Sequence, residues 1–239
     1  MTPAADTQVH VIISGGFSAP YEKLVPRFER EAGVHISTGS GASQGSGPQT
    51  ISAQLARGAT ADVVILSREG LDELVAEHRI MAGSAVDLAR TPIGVAVKSG
   101  APKPDVRSVE ALKGVLLASK SIAMPGSTSG IFLVNQVFPR LGIAGRVNVR
   151  MTPRGAQAAA MVASGEADVG LLPVSEIMHA PGVELAGVIA DEIQLNQVFS
   201  AAVVEGSGHA EAAKRLIAFL ASAQAAGVIR GAGMEPLTR

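Results

Sequence analysis

The chain has 239 residues, with 20 Lys and Arg against 21 Asp and Glu, 47% hydrophobic residues, 3% aromatic residues, and neither Cys nor Trp. That length suits one large domain or two modest ones and buries a core without metal or disulfide staples. Balanced charge argues against a nucleic-acid partner, and the lack of Cys removes thiol nucleophiles, disulfides and thiolate metal sites.

Gln8 to Ile13 is a β-branched run closed by Ser14-Gly15-Gly16 and predicts a buried strand. Ser18 is placed to cap a helix, with Pro20 in its first turn, Leu24, Val25 and Phe28 on its apolar face and Gly33 as its stop. Strands are predicted at Val34 to Ile36 and Asp62 to Leu66, and helices at Pro48 to Arg57 and Arg68 to His78. The second of these helices turns Leu71, Leu74 and Val75 inward. A strand over Thr91 to Lys98 then leads to a second alternation. Helices are predicted at Val109 to Ser119, Ser127 to Leu141 and Arg154 to Ser164. Strands fall at Ser121 to Met124, Val147 to Met151, Asp168 to Leu172 and Phe199 to Val204. His209 to Ile229 closes the chain as one amphipathic helix with Ala212, Leu216, Phe219 and Leu220 inward. This is α/β patterning in two units of similar size, each with mostly parallel strands and covering helices.

No apolar run approaches the ~20 residues that span a bilayer. Met1 to Asp6 is short and polar, with neither a basic nor an apolar signal region. The start fits a cytoplasmic protein beginning at its own Met, or a secreted one whose signal is removed.

Ligands of open α/β sheets bind beyond the carboxyl ends of strands. Four such ends are rich in hydroxyls and glycine: Ser14 to Ser18, Thr38 to Gly47, Pro125 to Gly130 and Thr152 to Gly155. Backbone N–H groups with Ser and Thr hydroxyls cradle an anion without lysine. Each of Ser14, Ser18 and Ser127 is equally suited to capping a helix. In Thr38 to Gly47, eight of ten residues are Gly, Ser or Thr, a composition shared with flexible linkers. Arg154 and Arg68 both sit at predicted helix starts, against the helix dipole, so each needs a nearby anion. Glu69 is the partner expected for Arg68.

Enzyme motifs are sparse. There is no Gly-Lys-Ser/Thr phosphate loop and no His-Glu-x-x-His, and the five His form no close pair, so neither a cofactor nor a metal is expected. Gly41 to Gly45 spells G-x-S-x-G, but Ser43 lies inside a long loop and not on a strand-to-helix elbow.

Several stretches together carry a resemblance. They are Gly16-Phe17-Ser18, Phe28 to Gly33, Gln54 to Ile65, Pro125 to Ile131, Arg154-Gly155-Ala156, Gly165 to Gly170 and Ala201 to Gly206. Over nearly its whole length the chain resembles the periplasmic molybdate-binding proteins of ATP-driven importers. That resemblance implies a two-lobed type II solute-binding fold with a ligand cleft between hinged lobes. Lobe 1 would be 7–90 with 200–239 and lobe 2 would be 91–199, the hinge crossings falling near Thr91 and Phe199. It also implies a periplasmic location, a monomer, an importer membrane complex as partner, and no membrane span or nucleic acid.

Against that family, its first oxyanion serine falls on Gly16 and its cleft tyrosine on Pro173. The loop at Ser43 is enlarged by Gln44 to Gly47. These changes remove or move donors that a tetrahedral oxyanion uses. One branch of the family comprises periplasmic aconitate isomerases, and Arg154 and Arg68 suit several carboxylates. The expectation is a polycarboxylate site with a cofactor-free proton shift. Its alternatives are a plain molybdate or tungstate binder and a non-catalytic carboxylate binder. Expected ligand contacts are Ser14, Gly16, Phe17, Ser18, Ser43, Gln44, Gly45, Ser46, Arg68, Ser127, Thr128, Ser129, Arg154 and Pro173. Tyr21, Glu22 and His35 are the candidate acid/base groups.

Overall fold

The computed structural model describes residues 8–237, so the Met1 to Asp6 leader lies outside the described residues. In chain order the elements are β1 (Gln8–Ile13), α1 (Ser18–Ala32), β2 (His35–Ser40), α2 (Ile51–Ala56), β3 (Val63–Ser67), α3 (Arg68–Ala76), β4 (Val86–Thr91) and β5 (Ile93–Lys98). They continue with α4 (Val109–Ala118), β6 (Ile122–Pro125), α5 (Thr128–Phe132), α6 (Phe138–Leu141), β7 (Val149–Thr152), α7 (Gly155–Ser164), β8 (Val169–Pro173) and α8 (Val174–Ile177). The last are β9 (Val183–Val188), β10 (Gln197–Val203), α9 (Ala210–Leu220), α10 (Ala223–Gly231) and β11 (Glu235–Pro236). Two compact units result. One holds the described residues up to Arg90 and from Val198 onward, Phe199 among them; the other is Thr91–Gln197.

The first unit is built on a six-stranded sheet in the order β11-β4-β10-β3-β1-β2. Strand alternation divides its apolar residues between two faces. Val9, Val11, Ile13, Val63 and Ile65 meet α1, α9 and α10, while Ile12, Val64 and Leu66 meet α2 and α3. Both faces are therefore covered, as near-continuous apolar strands require. β1 runs parallel to β2 and β3, and β10 joins β3 antiparallel, so the sheet is mixed.

The second unit repeats the plan with five strands in the order β7-β6-β8-β5-β9. β6, β7 and β8 are parallel, and β5 pairs antiparallel with β8 and β9. Ile122, Met124 and Leu171 face one core, and Ala123 and Leu172 face the other with Ala158 and Val162 of α7. The parallel arrangement brings the carboxyl ends of β6, β7 and β8 to one edge, where the Ser127, Arg154 and Ser175 segments begin.

Several expectations need correction. Ser18 is the first residue of α1 and not its cap; its hydroxyl donates to the Gly15 carbonyl at 2.7 Å. Val75 is 47% exposed, because Leu71 and Leu74 alone fill the inner face of α3. The closing helix is two helices, α9 and α10, bent by 62° with a break at Ala221 and Ser222. Its buried face is Ala213, Leu216, Ile217 and Leu220, with Ala212 and Phe219 partly buried beside it. Among the described residues, no single helix is long and apolar enough to cross a membrane.

Candidate functional site

In the first unit, Ser14 follows β1, and its N–H donates to the Ile65 carbonyl at 2.8 Å. Its hydroxyl is buried and has no partner among the described residues. Gly16 lies under Phe199, whose ring would be 2.0 Å from an added β-carbon, so a serine cannot occupy this position without moving the ring. Phe17 belongs to the apolar core, which leaves only its backbone to meet a ligand.

The Gly/Ser loop is not a loose linker. Gly41 N–H donates to the Ile13 carbonyl, Ala42 N–H to the Gln49 carbonyl and Ile51 N–H to the Ala42 carbonyl, all within 3.0 Å. Buried Ser43 accepts the Ser67 N–H at 2.9 Å, holding its hydroxyl at the carboxyl end of β3. Ser67 in turn caps α3 by accepting the Gly70 N–H. The enlarged part of the loop turns toward carboxylates. Gln44 donates to Glu73 at 2.5 Å, and Ser43 to Gly47 line a cavity of about 260 Å³ with Glu73 and Glu77. Gly45 holds φ at 116°, a conformation open to glycine. Two acidic neighbours make this cavity, which Gln44, Gly45 and Ser46 share with Ser43, a poor anion site.

Arg68 lies 3.5 Å from Asp87 and 3.8 Å from Asp72, which replaces the expected pairing with Glu69. Asp87 also accepts the Ser200 hydroxyl at 2.6 Å. The three acid/base candidates do not converge. Tyr21 is buried in the core with its hydroxyl 2.8 Å from Thr38 Oγ1, and burial pushes its phenol up to about 12, out of reach of neutral-pH proton transfer. Glu22 is exposed on α1. His35 opens β2, paired with Glu29 at 3.1 Å, at the end of the strand away from the Ser43 loop by roughly 17 Å.

In the second unit, the predicted residues do share an edge. Ser127 precedes α5 at the end of β6, and Thr128 and Ser129 are buried behind it. Gly130 packs onto the Pro125 carbonyl, where a β-carbon would come within 1.8 Å, so the turn is closed by contact. Arg154 follows β7 and stands at the head of α7, its N–H donating to Gln157 Oε1 at 3.2 Å. Pro173 ends β8, buried, and lacks the N–H and hydroxyl that a tyrosine would bring there.

Beside these lie two residues that the sequence reading missed. Ser175 has a buried hydroxyl with no partner among the described residues, while its N–H donates to Thr91 Oγ1 at 3.3 Å. Glu176 places its carboxyl over Gly155 at the start of α7; a β-carbon on Gly155 would lie 2.1 Å from Glu176 Oε2. Burial pushes this carboxyl up to about 7, against the opposing pull of the Arg154 guanidinium. The one sequence signal was position, just beyond the carboxyl end of a predicted strand. The edge thus combines a cation, hydroxyls and a carboxyl able to change charge near neutral pH.

A family model described as bacterial extracellular solute-binding protein matches residues 9–235. The chain is 37% identical over 233 residues to a protein of Pseudomonas sp. described as aconitate isomerase, covering 97% of this chain and 88% of that one. It is similar in structure to the periplasmic molybdate-binding protein of Azotobacter vinelandii (TM-score 0.74, 19% identity, 95% of this chain and 98% of that one). The sulfate-binding protein of Mycobacterium tuberculosis H37Rv is also similar (TM-score 0.77, 20% identity, 97% of this chain and 87% of that one). At these identities the structural likenesses speak for fold alone.

Proposed function

The chain belongs to the bacterial extracellular solute-binding protein family, in line with the resemblance drawn from its sequence, and we propose that it binds a small polycarboxylate and interconverts cis- and trans-aconitate. The observation that carries this reading is the near-full-length likeness to the Pseudomonas aconitate isomerase. The second unit supports it chemically: Arg154 offers a fork for a carboxylate, and the Ser127 to Ser129 hydroxyls lie on the same edge. Ser14 and Ser43 are the anion contacts we assign to the first unit.

The reaction moves one proton. A base takes a proton from the substrate's methylene carbon, and that C–H electron pair becomes a new double bond to the central carbon. The old π pair then takes a proton at the former vinyl carbon. No atom is gained or lost and nothing is oxidised, so a positioned acid/base and charge stabilisation suffice.

A second reading is a non-catalytic importer-associated binder of an oxyanion such as molybdate or tungstate. The Ser14 hydroxyl, buried without a partner among the described residues, favours it, and the absence of a side-chain donor at Gly16 and Pro173 counts against it. The family description supports a location outside the cytoplasm under either reading.

Melting shifts with cis-aconitate, trans-aconitate, molybdate and sulfate separate the two. A ligand at about 100 times its Kd adds roughly 2.7 kcal/mol of stability. Stabilisation by aconitate, together with a drift of cis-aconitate ultraviolet absorbance above buffer, is expected. Stabilisation by molybdate alone would overturn the reading. Arg154→Ala should weaken aconitate binding by about 2–5 kcal/mol, measured by calorimetry.

A further inference from the structure

The second unit holds a carboxyl group that its fold does not use. Among the described residues Glu176 makes no ion pair or hydrogen bond, and its carboxyl lies over the one α7 residue that has no β-carbon. Any other residue at position 155 would fill the space this carboxyl occupies. A partly buried acid left without a donor costs stability, and such groups persist where chemistry needs them. The neighbouring parallel strands β7, β6 and β8 end at the same edge, where Arg154, Ser127 and Ser175 follow them.

We propose that Glu176 is the proton carrier of the isomerisation, an inference that rests on the aconitate reading above. Its carboxylate takes the methylene proton, and the electrons of that C–H bond form the new double bond. The resulting carboxylic acid returns a proton to the former vinyl carbon as the old π pair is drawn there, so Glu176 ends as it began. Arg154 stabilises the charge that gathers on the substrate carboxylate between the two transfers. An ordinary exposed glutamate is almost wholly ionised at neutral pH and is a weak acid catalyst there. A group near the middle of its titration serves both halves of the cycle.

Few other charges act on this carboxyl. Of the elements packed against α8, α7 and β8 carry no ionisable side chain, β5 carries Lys98 and β9 carries Glu184. Glu184 is paired with Lys103, and the Arg154 guanidinium acts on Glu176. The rival carboxylate is Glu69 in the first unit, which has one buried oxygen without a partner among the described residues. It lies beside Arg68, whose charge is already met by Asp72 and Asp87.

The test compares wild type, Glu176→Gln, Glu176→Asp and Glu69→Gln. Interconversion of the aconitate isomers is followed by absorbance, and trans-aconitate binding by calorimetry. Glu176→Gln should keep its affinity within about threefold and lose roughly 10²–10⁴-fold in kcat, with Glu176→Asp recovering part of the loss. Glu69→Gln should turn over at the wild-type rate. Wild-type kcat should rise from pH 5.5 to pH 8 through one ionisation, and this profile decides the matter should Glu176→Gln fail to fold; a flat profile overturns the proposal. Near wild-type kcat in Glu176→Gln, or loss of activity in Glu69→Gln alone, also overturns it while leaving the aconitate reading intact. A wild-type protein that binds no aconitate and turns none over removes both.

Discussion

Gly16 shows how one missing side chain redirects a site. The ring of Phe199 fills the space that a side chain at position 16 would need, and the ring in turn belongs to the core beneath α1. Gly16→Ser should therefore destabilise the protein by about 1–3 kcal/mol, read as a lower urea midpoint with an unchanged slope. Glu176 gives a second expectation at this scale. Its carboxyl is raised in the folded protein from 4.5 to about 7, so the folded state holds a proton that the unfolded chain has released. The neutral form costs least: stability is full below about pH 4.5 and falls as pH rises through 7. Glu176→Gln should accordingly be the more stable protein at pH 8, by up to about 3 kcal/mol, and close to wild type at pH 4 in urea titrations at the two pH values. The hydroxyl-rich loops were legible as composition. Glu176 was not, because its character depends on Gly155, twenty-one residues away in the chain.

Elements with strong local signals came out close to their expected bounds. β1 spans Gln8–Ile13 as predicted, since its β-branched run ends in a Ser-Gly-Gly turn, and Gly33 ends α1 with φ at 63°. β9 was missed because Val-Glu-Leu-Ala-Gly-Val alternates poorly, and its place is fixed by pairing with β5. The α9 and α10 break escaped notice for a related reason: Ala-Ser-Ala-Gln contains neither Gly nor Pro, and the turn is stabilised by the Ser222 hydroxyl donating to the Phe219 carbonyl. The run from α5 to α6 contains a π turn at Leu133–Val137, which no periodicity at 3.6 residues marks. Thr50 caps α2 by accepting the Ala53 N–H at 3.2 Å, and its backbone also closes the Ser43 loop through a bridge to Ala42. Thr50→Ala should cost about 1 kcal/mol in urea unfolding. It should also raise hydrogen exchange across Gly41 to Thr50.

At the scale of the whole molecule, Thr91–Gln197 is one uninterrupted segment with its own sheet and cores on both faces, whereas the other unit is assembled from two separated stretches. Expressed alone, residues 91–197 should fold and melt cooperatively by circular dichroism; a non-cooperative melt would show that they depend on the remainder. The two-part α/β plan was legible because apolar runs and helical stripes alternate twice along the chain. β5 and β10 were legible as strands, but their antiparallel pairing was not, since pairing direction leaves no mark on a short apolar run. The buried Tyr21 has an optical consequence. With no Trp and a single Tyr, the chain's near-ultraviolet emission comes essentially from one ring fixed between α1 and Thr38. Intrinsic fluorescence is therefore a reporter of the first unit. A reporter within the second unit itself calls for a new chromophore, for which exposed Met151 near the end of β7 is a natural place to install tryptophan.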